Sequence, residues 1–386
     1  MSRPTLNPSV LLFTTDRGYV AYDPVANRLH DLNASASLLA ELCDGNKTLE
    51  GIKEIVRPFL GGESDAHVDR WVEQATGAGL VGWPDTPGVC QQEPSVEELT
   101  RLAHDLMDRG LFQVAFLCWQ RITQRTPDEP GVWYALGNAA YWLGRPEDAR
   151  AAYSKYLDYR PRDARIRHLV IALGKGEPPS RASDACIQQI YGRMASRYNA
   201  LMREELDYQA PERILDAIKS VIGNRGGLAV ADLGCGSGFA GACLRGRASQ
   251  MVGVDLSAEM IALARERNIY DRLEIAEITD WLARTNEQFD LIVACECLVY
   301  FGDLGAVVTA AAHRLNPAGV LALTVEQTDQ HPFHLTDSGR YAHHMDHVRE
   351  TAKTAGLTTA HLQEGYLRTE YATPVTGLYA VFQRDR

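Results

Sequence analysis

Apolar and polar positions alternate with a period of two in three short runs near the start of the chain, VLLF (10–13), YVAYD (19–23) and RLHDL (28–32). Turn residues Asp16, Gly18, Asp23 and Pro24 separate them, so three strands are expected. The period then lengthens to that of a helix. Asn33, Thr48 and Asp65 each stand where a helix N-cap belongs, and Gly79 stands where the third helix should end. Strands followed by helices predict a small winged-helix-like α+β domain over residues 1–83. GWPDTPGVCQQEPS (82–95) and GKGEPPSRAS (174–183) carry no apolar period and read as linkers. Between them, in residues 96–173, Leu102, Gly110, Ala115, Trp119 and Pro127 recur 34 positions later as Leu136, Gly144, Ala149, Tyr153 and Pro161. RIRHLVIALG (165–174) adds a capping helix. From residue 186 to 386, apolar strands such as LAVAD (228–232) and MVGVD (251–255) alternate with helical segments, the pattern of a Rossmann-like domain. The fold class expected is multidomain α/β.

Composition narrows the partners. The chain of 386 residues has a formal charge of −11, and residues 1–90 hold seven Lys and Arg against twelve Asp and Glu, which opposes a nucleic-acid surface. No apolar run is long enough to span a membrane, and MSRPTLNPSV lacks the layout of a signal peptide, so no membrane partner and a cytoplasmic location are expected. The eight cysteines have no framework spacing and read as free thiols. No metal is expected. Cys295 and Cys297 lack a second pair, and the i, i+4 spacing of His343 and His347 competes with a reading as solvated histidines on a loop.

The 34-residue repeat resembles the tetratricopeptide repeat, which leaves open a helical spacer or a peptide-binding concave face. LHDLNASASLLAELCDGNKTLEGIKEIV, closed by AGLVGW, resembles the PqqD-like domains that bind leader peptides of ribosomally made, post-translationally modified peptides. That resemblance implies a precursor peptide as partner. Its leader would add as a strand along Arg28, His30 and Leu32 and pack on the helix bearing Val68, Trp71 and Ala75.

VADLGCGSGFAG (230–241) follows a predicted strand and opens a helix. Its glycines, Gly234, Gly236 and Gly238, leave backbone bare for a ligand, Asp232 ends the first strand, and Asp255 ends the second, where a carboxylate can take ribose hydroxyls. These parts suit S-adenosylmethionine. The segment 186–386 resembles class I methyltransferases, through GVDLSAEMIALARER, EIAEITDWL, FDLIVACECLVYFGDL and LNPAGVLALTVE. The resemblance implies Leu256, Met260, Glu277, Ile278 and Cys295 around the adenosine, and Tyr191 and Tyr198, on one predicted helix, over the methionine end. It places Tyr300, Arg340 and Tyr341 on the acceptor side. For a base, His343 and His344 come first and Glu296 second. Two activities fit: methylation of a precursor-peptide side chain, or methylation of a small molecule with a regulatory front half. A non-catalytic scaffold is opposed by the intact glycine motif.

Overall fold

The computed structural model describes residues 3–15, 18–24, 26–60, 64–83, 94–174, 177–202, 206–370 and 373–385. Asp16, residues 84–93 of the first linker with Cys90, and residues 175–176 of the second lie outside the described residues. The chain forms two compact units, residues 1–145 and 146–386, so the division falls inside the repeat segment.

In the first unit, β1 (Thr5–Leu6) pairs with β5 (Val81–Gly82), and β2 (Leu11–Thr15), β3 (Gly18–Asp23) and β4 (Arg28–Asn33) form an antiparallel meander in that order. Helices α1 (Ala34–Leu42), α2 (Leu49–Leu60) and α3 (Ser64–Gly77) follow. The Asn33 carboxamide accepts from the Ala36 amide at 2.9 Å and the Thr48 hydroxyl from the Gly51 amide at 3.2 Å, so both caps form as their side chains dictate. Gly79, at φ 78°, closes α3 with amide bonds from Gly79 to Thr76 and from Leu80 to Ala75. Asp65 departs from expectation. It lies within the first turn of α3 and accepts from Arg57 at 2.9 Å. Val68 and Ala75 also depart: they are 0% and 4% exposed because their side chains complete the core with Leu39, Ile52 and Val72, which closes them to any peptide. Leu32 is buried too, Trp71 and His30 are half-buried, and Arg28 is exposed.

Helices α4 (Val96–Asp108), α5 (Phe112–Arg125) and α6 (Pro130–Trp142) complete this unit, and α7 (Pro146–Tyr159) and α8 (Ala164–Ala172) open the second. Gly110 and Gly144 have φ of 73° and 72°, and the next amide bonds back to Leu106 in one case and Ala140 in the other, each at 2.9 Å. The same left-handed stop therefore occurs twice, 34 residues apart, where only glycine is unstrained. Ala115, Ala149, Trp119 and Tyr153 are all buried. Ser95 caps α4 in a reciprocal pair with Glu98. Ser95→Ala is expected to cost about 1 kcal/mol, read as a lowered thermal midpoint.

The second unit is built on a sheet of nine strands. Strands β6 (Leu228–Leu233), β7 (Ala248–Asp255), β8 (Arg272–Ile275), β9 (Phe289–Ala294) and β10 (Leu315–Gln327) run parallel. Short β11 (Phe333–Leu335) and β12 (Tyr341–His343) extend the far end of β10. A hairpin of β13 (Leu357–Glu370) and β14 (Thr373–Arg384) joins antiparallel to β10. The resulting order is β8-β7-β6-β9-β10-β14-β13. Ala231, Leu233 and Ile292 pack on one face and Val230, Leu291 and Val293 on the other, as doubly covered parallel strands require. The helices are α9 (Asp184–Met194), α10 (Tyr198–Ala200), α11 (Ala210–Ile222), α12 (Phe239–Leu244), α13 (Ala258–Glu266), α14 (Ile278–Arg284), α15 (Gly305–His313) and α16 (Met345–Thr354). Because β6 has β7 on one side and β9 on the other, the strand order reverses beside it. A crevice opens there at the carboxyl ends.

Candidate active site

The crevice is a cavity floored by the turn that leaves β6. Its lining includes Gly234, Cys235, Gly236 and Ser237 of that turn, Asp255 and Leu256 after β7, and Glu277 and Ile278 at the head of α14. Cys295, Glu296 and Cys297 after β9 join them, with Tyr191, Tyr198, Tyr208, Tyr300 and Phe301. Gly236 has φ 54°, and a side chain there would meet only the Tyr198 hydroxyl, 3.7 Å away, so its backbone is bare toward the cavity. The Asp255 carboxylate accepts from the amides of Gly236 and Ser257, each at 2.8 Å. Any lone pair of the carboxylate that backbone amides leave open faces the ligand. Burial raises its pKa from the ordinary value, against the backbone amides of Ser257, Gly236 and Leu256. Glu277 caps α14 by accepting from the Asp280 amide at 2.8 Å.

Three expected cofactor residues are not in this lining. Asp232 is 1% exposed beneath the turn and accepts from the Tyr270 hydroxyl at 2.7 Å, with burial pushing its pKa up to about 7. Gly238 starts α12 at φ 90°, and together with Gly241 and Gly253 it leaves the room that the Tyr270 ring occupies. Met260 is wholly buried at the start of α13. These three build the floor from behind. Tyr191 and Tyr198 line the cavity with ring centroids 6.0 Å apart, but Tyr191 is on α9 and Tyr198 on α10, so a chain turn rather than one helix brings them together.

The histidines stand elsewhere. His343 ends β12, is 0% exposed and has Nε2 3.1 Å from the Gly302 carbonyl, while His344 caps α16 through Nδ1. Neither lines the cavity. His343 precedes the helix that carries His347, so the two stack as parallel rings 6.2 Å apart instead of sharing a helix face. Among the described residues no cluster of three or more His, Cys, Asp or Glu side chains could hold a metal. Burial pushes the His343 pKa down to about 4. A buried neutral imidazole favours the folded state above the unfolded pKa near 6.5, and that contribution fades as pH falls toward 4. We expect His343→Asn to remove about 3 kcal/mol of the acid-dependent destabilisation between those limits, measured by urea unfolding across pH.

On the acceptor side, Tyr300 lines the cavity and Tyr341 does not, being buried with its hydroxyl donating to the Pro179 carbonyl at 2.7 Å. Arg340 is also outside the lining, bonded to Glu370. Of the titratable lining groups, Tyr191, Tyr198, Tyr208, Cys295 and Cys297 all have pKa values raised by burial, so near neutral pH they stay protonated. Tyr208, whose hydroxyl lies 3.8 Å from Cys295 Sγ, had no signal in the sequence. It precedes α11 in a segment without motif character.

Residues 230–319 match the family described as methyltransferase domain, and residues 130–163 match the tetratricopeptide repeat. A ubiquinone biosynthesis O-methyltransferase from Xylella fastidiosa is 34% identical over 134 residues, 32% of this chain and 54% of that protein. The enzyme of the same name from Xanthomonas campestris is 26% identical over 188 residues, 43% of this chain and 79% of the relative. The chain thus spans about half the length of the Xylella relative. A solved structure of the Burkholderia thailandensis 1,6-didemethyltoxoflavin-N1-methyltransferase aligns over 52% of this chain and 88% of that one, at 17% identity and a TM-score of 0.42. The chain carries an S-adenosylmethionine-dependent methyltransferase domain and, ahead of it, a tetratricopeptide repeat.

Proposed function

We propose that the whole chain methylates a side chain of a ribosomally synthesised precursor peptide, recruited in the cytoplasm through its leader by the first unit. The observation that carries the transfer chemistry is the bare turn at Gly234 and Gly236 facing the Asp255 carboxylate across the strand-order reversal. S-adenosylmethionine fits the donor set. Asp255 would take the ribose hydroxyls, Leu256 and Ile278 the adenine faces, Glu277 and Cys295 its edge, and Gly234 and Gly236 the methionine backbone, beneath Tyr191 and Tyr198. When bound, the cofactor supplies an electrophilic methyl on a sulfonium. The protein contributes position and a cation-poor, aromatic wall in which Tyr191 pairs edge-to-face with Tyr198 and with Tyr300, each at 6.0 Å.

Recruitment rests on residues 1–83. With Val68 and Ala75 closed, the surface available to a leader is the free edge of β4, which pairs only with β3 among the described strands. Beside it runs a groove between that meander and α5, lined by Asp31, Leu32, Asn33, Phe116 and Leu117. Strand addition there would use backbone bonds for affinity and the groove for choice.

A second reading, a small-molecule acceptor, draws on the relatives named as ubiquinone biosynthesis O-methyltransferases. The test separates the two. The protein is incubated with labelled cofactor and the product of a short reading frame beside its gene, followed by fragment mass spectrometry. Label on one peptide side chain supports the proposal. A peptide left unlabelled while a small phenol is labelled supports the second reading.

A further inference from the structure

Among the described residues, Glu296 is the one carboxylate of the cavity held by side chains and not by backbone amides of its own turn. Asp255 is committed to the Gly236 and Ser257 amides, and Glu277 to that of Asp280. Glu296 has φ 58°, a left-handed conformation that costs a non-glycine residue about 1–2 kcal/mol and persists only where surroundings impose it. Its amide donates to the Thr324 hydroxyl at 2.8 Å, that hydroxyl lies 3.3 Å from Oε1, and Arg368 binds Oε2. Thr324 is 0% exposed and Arg368 4%.

Behind Glu296 lies a network. Arg368 also binds Glu326 and lies 3.4 Å from Glu370, and Arg340 closes the group on Glu370. The members come from the ends of β10 and β13, from β9's following turn and from the residue before β12, with three acids facing two arginines. In the cavity itself, Asp255, Glu277 and Glu296 face the single cation Arg181 among the described residues. Counting Glu296 once, the described residues of cavity and network together hold five acids, Asp255, Glu277, Glu296, Glu326 and Glu370, against three arginines, Arg181, Arg340 and Arg368. An acceptor that became an oxyanion here would meet like charge at close range, whereas an ammonium that loses a proton passes from cation to neutral.

Resting on the methyltransferase reading above, we infer that Glu296 is the catalytic base of an acceptor subsite selective for amines, with Arg368 as its positioning residue. The acceptor ammonium gives one proton to the Glu296 carboxylate, leaving a neutral amine and a carboxylic acid. The nitrogen lone pair forms the N–CH3 bond as the donor C–S bond breaks, and the electron pair of that bond stays on sulfur. The products are a methylated ammonium, S-adenosylhomocysteine and protonated Glu296, with total charge unchanged. Burial raises the Glu296 pKa despite Arg368, toward the range useful to a base at neutral pH.

Calorimetry with two probes tests this without the natural acceptor. S-adenosylhomocysteine ends at sulfur, and sinefungin carries an amine where the donor carries its methyl. Wild type is expected to bind sinefungin about tenfold more tightly, through one charge-assisted hydrogen bond. In Glu296→Gln that preference should fall to within twofold of parity, with S-adenosylhomocysteine affinity retained. Arg368→Lys, which keeps the charge without the two-pronged grip, should lower the preference partway. A preference unchanged in Glu296→Gln overturns the inference, and so does a wild-type preference at or below one, even if the variants fail to fold. Failure of wild type to bind S-adenosylhomocysteine would instead defeat the cofactor reading, a separate result.

Discussion

Gly234→Ala should weaken S-adenosylhomocysteine binding by about a hundredfold and lower the thermal midpoint. A Cβ at Gly234 would lie 2.3 Å from the Cβ of Cys297, and neither atom is the end of a flexible side chain. The Cys297 thiol also donates to the Leu233 carbonyl at 3.2 Å, so the two turns after β6 and β9 are locked together. Gly234 has φ 61°, which adds left-handed strain to the clash. Overpacking of about 1–3 kcal/mol and strain of about 1–2 kcal/mol destabilise the folded turn, which lowers the thermal midpoint, and the affinity falls because the turn must shift away from its place under the ligand. The double variant Gly234→Ala, Cys297→Gly should recover part of the loss by removing the opposing Cβ. Calorimetry on the three proteins decides it. Normal affinity in Gly234→Ala would mean the turn does not shape the cofactor site.

The second large effect concerns the first unit. A chain beginning at Pro146 should keep its affinity for S-adenosylhomocysteine, because every described residue lining the cavity lies in the second unit. It should lose about a hundredfold in kcat/KM toward the full precursor, the gain in effective concentration that docking provides. The loss should appear in KM, since docking contacts are equal in ground and transition states. Equal efficiency of the short and full chains would refute recruitment and favour the small-molecule reading. Trp71→Ala in the full chain should reproduce a fraction of the effect if the half-buried ring borders the leader.

Local signals were legible in the sequence, and long-range ones were not. Caps at Asn33 and Thr48, the stop at Gly79 and the paired glycines Gly110 and Gly144 are decided within a few residues, and the structure forms all of them. The glycine turn after β6 was readable for the same reason. The place of Asp232 beneath the turn is not legible in the sequence, because its partner, Tyr270, lies 38 residues away and no local pattern announces a phenol seated among glycines. His343 and His344 looked solvated because adjacent polar residues in a short run imply a loop. The β11–β12 pairing turns His343 inward instead. The Arg368 network is invisible in the sequence, as it depends on a 12-residue β14 strand threading between β10 and β13.

The measurement closest to the central claim is calorimetric titration of the full chain with S-adenosylhomocysteine, repeated on Asp255→Ala. The wild type should bind one equivalent. The variant leaves the Gly236 and Ser257 amides and the ribose hydroxyls without their shared acceptor, at a cost of about 1–3 kcal/mol, so affinity should fall between about fivefold and 150-fold. Equal affinity in the two proteins, or no binding by the wild type, would contradict the placement of the cofactor between the glycine turn and Asp255.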